Sequence, residues 1–333
     1  MRFGLFFLPA DCPDRRWSAT ETYKDLIDCA VEAEQLGLDS VWFAEHHFST
    51  YGGFVPNIPV LGAAVAARTE RIRIGSAATV LPLRDAVETA ESFAMLDVLS
   101  NGRLDVGVGR GFLPSEFAGR GVAMEDRAGR FTEGLAVLRG AWADGPLTFH
   151  GEHYALDRVD VLPKPMQRPG PPLWIAASTS RESFELAGRE GLHLMVNPYN
   201  RAPEELAEGL ARYREARRGA GLDAHGGRVL ANQHLFVART EEEAAEVPRQ
   251  GLMEYLGAVD TAFGRPLAPH DYADIYPEKV LFGTPETVAR KIKEWQAAGI
   301  TDLSLMTRFG SLAPEAASRS LELFAQEVMP CFG

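Results

Sequence analysis

The sequence predicts a TIM-type (β/α)8 barrel with insertions among its βα loops, and three observations point there. First, one local pattern recurs: a helix-ending glycine, an apolar residue and a polar step lead into a new strand. It reads Gly37-Leu38-Asp39-Ser40-Val41-Trp42, then Gly191-Leu192-His193-Leu194, then Gly299-Ile300-Thr301-Asp302-Leu303. Second, roughly eight apolar strands alternate with helical segments along the chain, the number that closes such a barrel. Third, Pro9-Ala10-Asp11-Cys12 follows the first strand, where a doubly wound dinucleotide-binding sheet would carry a glycine-rich turn. The 333 residues, 46% hydrophobic and 24% charged, have an ordinary globular composition, and one domain over residues 1–333 is expected.

Each unit has its own local justification. Arg2–Leu8 is apolar on both faces, as a strand buried on both sides must be, and Pro9 ends it. Ser18-Ala19-Thr20-Glu21 has the form of a capping box, after which Leu26, Ile27, Ala30, Val31 and Ala33 make a helical stripe up to Gly37. The next strand is Val41–Ala44. Further pairs follow: Arg71–Val80 with Arg84–Leu99, Arg103–Gly109 with Arg127–Ala143, and Pro172–Ala177 with Arg181–Arg189. Then come His193–Val196 with Pro203–Ala220, Arg228–Ala238 with Glu241–Val259, and Leu303–Thr307 with Pro314–Val328. Two insertions, near 144–171 and 261–280, interrupt this alternation. The first contains a hairpin over Leu147–Leu156; the second is rich in Pro, Tyr and Asp. Past it, Thr284 and Pro285 supply an N-cap and a first-turn proline for another helix.

Charge and cysteine usage narrow the function. A net charge of −12 lacks the basic footprint that nucleic acid or an anionic membrane requires, so neither partner is expected. Cys12, Cys29 and Cys331 are odd in number and lack metal spacing, which suits reduced thiols in the cytoplasm. Met1–Pro9 is too short for a signal peptide.

Candidate chemistry gathers at strand ends. Leu104-Asp105-Val106-Gly107-Val108-Gly109-Arg110-Gly111-Phe112 is a buried strand that ends in bare backbone and one guanidinium. Arg110 there either receives an anion such as phosphate or forms a structural ion pair. Glu45-His46-His47-Phe48 closes the second strand. Because neighbouring strand residues point oppositely, only one imidazole can face the mouth, in an acid/base or oxygen-handling role. With no third ligand nearby, no metal is expected. Ile74-Gly75-Ser76-Ala77-Ala78-Thr79-Val80 is emptied of bulk, leaving room for a flat ring or for close strand–helix packing. Ser178, Thr179 and Ser180 put hydroxyls at a helix start, where they cap the helix, hold phosphate, or do both.

Taken together, Glu45-His46-His47-Phe48, Ser76–Pro82, Gly107-Val108-Gly109-Arg110-Gly111, the opening Arg2-Phe3-Gly4 and the ending Val328-Met329-Pro330 resemble the bacterial luciferase-like flavin monooxygenases in order and spacing. The resemblance implies a barrel that binds reduced FMN supplied by a separate flavin reductase, accepts dioxygen and oxygenates a small-molecule substrate through a flavin C4a-peroxide. It also implies a homodimer paired through the early helices. By this resemblance His46 matches the catalytic histidine, and Glu116, also on the catalytic side, replaces an aspartate, which keeps the charge but moves the carboxylate. Ala77-Ala78 matches the cis peptide under the flavin ring, and Arg110 and Ser180 the phosphate ligands, with Phe112, Ser178 and Thr179 also on the cofactor side. Gly109 stands where the luciferase alpha chain has a reactive cysteine, which argues against long-chain aldehyde oxidation with light emission. Deazaflavin-dependent relatives usually carry Ser-Asp-His at the second strand's end, so Glu45-His46-His47 favours FMN over F420. The remaining alternatives are an F420-dependent oxidoreductase and a non-catalytic flavin-binding barrel.

Overall fold

The computed structural model describes residues 1–10, 18–177, 180–196, 203–264 and 270–333. In chain order its strands are β1 (Arg2–Phe7), β2 (Ser40–Phe43), β3 (Arg73–Val80), β4 (Leu104–Gly109), β5 (Leu147–His150), β6 (Ala155–Val159), β7 (Leu173–Ala177), β8 (His193–Val196), β9 (Val229–Val237), β10 (Leu281–Gly283) and β11 (Asp302–Met306). The helices are α1 (Ala19–Gln35), α2 (Ile58–Ala66), α3 (Ala86–Leu99), α4 (Pro114–Arg120), α5 (Arg127–Trp142), α6 (Arg181–Arg189), α7 (Ala207–Gly219), α8 (Glu241–Glu246), α9 (Arg249–Ala262), α10 (Pro285–Ala298) and α11 (Pro314–Leu323). Eight parallel strands run β1-β2-β3-β4-β7-β8-β9-β11 and close by the β11–β1 pairing, which makes the TIM barrel. Strands β5 and β6 form a separate antiparallel hairpin in the first insertion.

Local signals explain most of the boundaries. The Ser18 side chain accepts from the Glu21 backbone N–H while Glu21 Oε2 accepts from Ser18 N at 2.8 Å, so the capping box forms as expected. Thr284 caps α10 with Pro285 in its first turn, and Gly299 closes it in a left-handed conformation. Several elements differ from the sequence reading, whose strand–helix pairs include neither α2 nor α4. The helix expected over Glu241–Val259 is split into α8 and α9, because Pro248 has no amide hydrogen to continue the ladder. Leu281–Gly283 forms β10, which pairs parallel with the upper part of β9; three residues are too few to show a period.

The barrel interior is filled from the strands. Trp42 and Trp174 meet edge to face at 5.3 Å, and a Cβ at Gly75 would lie 2.1 Å from the Trp42 ring, so this glycine makes room for an indole in the core. Between β3 and β4 the register shifts, with Ser76 opposite Val106 but Thr79 opposite Val108, so one extra residue bulges at Ala77–Ala78. Ser76 Oγ donates to Gly107 O at 2.8 Å and accepts from Gly107 N at 2.9 Å, replacing the ladder bonds that the bulge removes. A Cβ at Gly107 would stand 2.1 Å from Ser76 O, so only glycine fits opposite the bulge. Among the described residues, no helix is long and apolar enough to cross a membrane.

Candidate functional site

The chain leaves β2 at Phe43 and places Glu45, His46 and His47 at the carboxyl rim of the barrel, all three buried. Their neighbours give the two imidazoles different duties. Arg120 Nη2 lies 3.3 Å from His47 Nδ1, and a guanidinium can only donate, so Nδ1 is the acceptor. His47 Nε2 then carries the hydrogen and donates to Glu45 Oε1 at 3.1 Å. Both nitrogens of His47 are therefore committed to structure. Glu45 is also bound by Arg84 Nε at 2.9 Å. Burial alone would push the Glu45 carboxyl up, but the His47 hydrogen bond and the Arg84 guanidinium outweigh it and hold the group below its usual range.

His46 is arranged otherwise. Its Nδ1 meets Glu116 Oε1 at 3.0 Å, and the same oxygen accepts from the His47 backbone N–H at 2.8 Å. With Glu116 as acceptor, Nδ1 holds the hydrogen. Nε2 makes no hydrogen bond to the described residues and is left to act on a ligand. Gly52 packs so closely on the His46 ring that a Cβ there would lie 2.7 Å from Cδ2, and Tyr51 flanks the imidazole at 5.1 Å. Glu116 itself comes from α4, which is docked against this loop by Gly119 under the Phe48 ring and by Arg120 at its end. The result is a fixed imidazole with one free nitrogen at a barrel mouth, which can hold or move one proton.

On the neighbouring strand β3, the Ala77–Ala78 peptide is cis, within the bulge. Beside it, a Cβ at Gly109 would make only ordinary contacts, 3.5 Å from Ala78 Cβ and 3.7 Å from Ala176 Cβ, so the floor here is small-residue surface with space above it. Arg110 follows. Its Nη1 donates to Glu182 Oε2 at 2.7 Å, its guanidinium lies 5.7 Å from the Phe131 ring centroid, and its buried Nε has no hydrogen-bond partner among the described residues. Ser180 is the N-cap of α6, its hydroxyl accepting from Ser183 N, and Arg110 reaches the first turn of that same helix. A guanidinium with an unused buried donor beside a helix start suits a phosphate, so the residues present fit a flavin mononucleotide. Ser178 and Thr179 lie outside the described residues.

Aromatic rings complete the mouth. Phe112 stacks on Phe263 at 4.8 Å and 17°, and presents its edge to His46 at 5.9 Å. Tyr51 continues the wall to Tyr255, which packs against His234 on β9. Burial pushes the His234 imidazole down to about 3, so it belongs to this wall as an uncharged ring.

The structure thus brings His46, Glu116 and Phe112 together, sets Ala77 and Ala78 on the adjacent strand β3, and turns Arg110 onto the first turn of the helix that Ser180 caps. Of the second insertion, residues 265–269 lie outside the described residues. Sequence reasoning missed Tyr51, Phe263, Arg120 and Glu182. The first two stand on loops and helix ends without a periodic signal. Glu182, two residues past the Ser180 cap, could have been read as a charge competing for the same helix start.

Comparisons with known proteins identify the family. The chain is 27% identical over 351 residues to the oxygenase component of the flavin-dependent trigonelline monooxygenase of Acinetobacter baylyi, covering 100% of this chain and 96% of that protein. It is 31% identical over 198 residues to an F420-dependent glucose-6-phosphate dehydrogenase of Amycolatopsis mediterranei, covering 56% of this chain and 60% of the other. Among solved structures, the monooxygenase RslO1 of Streptomyces bottropensis superposes with a TM-score of 0.93 at 31% identity, covering 100% of both chains. The family model for luciferase-like monooxygenases matches residues 1–302, and the chain belongs to that family.

Proposed function

We propose that this protein is the single-domain oxygenase component of a two-component system, a cytoplasmic homodimer that takes reduced FMN from a separate flavin reductase and uses dioxygen to oxygenate a small organic substrate. The observation that carries this reading is His46, held by Glu116 with Nε2 free, just past β2 and beside the neighbouring strands β3 and β4 that carry Ala77, Ala78 and Gly109. When bound, reduced FMN supplies the electrons that activate dioxygen. The chain's own residues do the rest. Ala77 and Ala78 would hold the ring, and Arg110, Ser180, Ser178 and Thr179 the phosphate, with Phe112 closing the mouth beside the ring. His46 Nε2 would exchange a proton with the oxygen being transferred, while Glu116 keeps the imidazole in one orientation. The fixed imidazole also weighs against a non-catalytic flavin-binding barrel.

The test is oxygen labelling: the purified protein, FMN and an independent NADH-dependent reductase react with a panel of ketones, aldehydes and aromatic heterocycles under 18O2. Incorporation of label that requires both FMN and reductase supports the reading; efficient NADPH oxidation by the isolated protein counts against the need for a separate reductase. The F420-dependent relative favours a second reading, hydride transfer without oxygen incorporation. Anaerobic turnover with reduced F420 and no turnover with reduced FMN would establish it instead.

A further inference from the structure

We propose that Glu182 is an internal counter-anion occupying the place of the cofactor phosphate at Arg110, and that its displacement sets how strongly the site prefers a phosphorylated flavin. This rests on the reading above that Arg110 receives that phosphate.

The contact is asymmetric. The Arg110 side chain is 23% exposed and the Glu182 side chain 76%, so the arginine is built into the wall and the glutamate leans onto it from solvent. Phe131 beneath the guanidinium limits the directions in which the fork can point. Of the five donors of that fork, Glu182 engages Nη1, while Nε stays buried without a partner among the described residues. One carboxylate oxygen therefore leaves donor capacity unused. A phosphate dianion, with more oxygens and more charge, matches the fork better.

Glu182 also stands at the second position of α6, two residues past the Ser180 cap, where the free amides and the helix dipole favour negative charge. The carboxylate and a phosphate would thus draw on the same two sources of positive potential. They compete rather than cooperate, because two anions held at one guanidinium repel each other. Displacement is cheap, since an exposed carboxylate remains largely hydrated and an exposed ion pair contributes little to stability. The hydrogen bond and charge of Arg110 hold the Glu182 carboxyl below its usual range, so at neutral pH the competitor is ionised.

The chemistry predicts a selective effect. Removing the charge of Glu182 should strengthen the hold on a flavin that carries a phosphate and leave one that lacks it unchanged. Binding of oxidised FMN and of riboflavin is measured by flavin fluorescence for the wild type, Glu182→Gln, Arg110→Ala and the double variant. Glu182→Gln should bind FMN about twofold to fivefold more tightly, with riboflavin unaltered. Arg110→Ala should weaken FMN about tenfold to a hundredfold, again sparing riboflavin. In the double variant the gain from Glu182→Gln should vanish, because it acts through the arginine. Unchanged or weaker FMN binding by Glu182→Gln, an equal gain for riboflavin, or a gain that survives loss of Arg110 would overturn the role of Glu182. A normal FMN affinity in Arg110→Ala would instead overturn the phosphate assignment itself.

Discussion

His46 and His47 are adjacent in the chain, yet Glu116 takes up one nitrogen of the first while Glu45 and Arg120 take up both nitrogens of the second. Truncating His46 should therefore leave the fold and FMN binding intact and lower coupled product formation about a hundredfold or more, with electrons diverted to hydrogen peroxide. Product and peroxide measured together check this, and full coupled turnover in His46→Ala would remove it from the chemistry. Glu116→Gln keeps the shape but loses the charge that steadies the imidazole, so its turnover should fall with little change in KM, and its pH–rate profile should move. A purely structural Glu116 would leave that profile in place. The sequence shows a histidine pair and a nearby acid, and the resemblance selects His46; which carboxylate serves which ring depends on where α4 docks, and no spacing encodes that. Tyr51 and Phe263 were invisible for the same reason, since rings brought together by loops leave no period.

At the scale of elements, local chemistry made much of the barrel legible. Buried strands such as Arg2–Leu8, with a proline at the end and a capping box beyond, admit few alternatives, and β1 and α1 fall within a residue or two of the expected bounds. The bulge in β3 was less legible. Ser76-Ala77-Ala78-Thr79 reads as a strand emptied of bulk; that it carries one extra residue shows only when β4 pairs with it and Ser76 turns its hydroxyl onto Gly107. Gly107 is consequently a position where the site depends on close backbone approach. Gly107→Ala drives a methyl toward Ser76 O, a main-chain atom that cannot rotate away, and should destabilise the protein by about 1–3 kcal/mol. Urea unfolding measures the cost. A midpoint equal to the wild type would mean that the bulge relaxes freely and is not held by this glycine.

For the whole molecule, α3 raises the question of assembly. Its buried side carries Ala86, Ala90, Phe93, Ala94 and Asp97, while Met95 (54% exposed), Val98 (50%) and Leu99 (61%) form a stripe on the opposite side. Positions separated by three and four residues share one helix face, so these three make a continuous apolar surface. Val60 on the adjacent α2 is 69% exposed as well. Covering the stripe with a second copy would remove apolar area from water on both partners, whereas the net charge of −12 opposes association. Salt screens that repulsion but not the apolar gain, so dimerisation should strengthen with ionic strength. Sedimentation should find a dimer at micromolar concentration, and Val98→Glu with Leu99→Glu should yield a folded monomer, because both side chains lie outside the core. A wild type that stays monomeric at high salt, or a double variant that remains dimeric, would place the contact elsewhere or deny it.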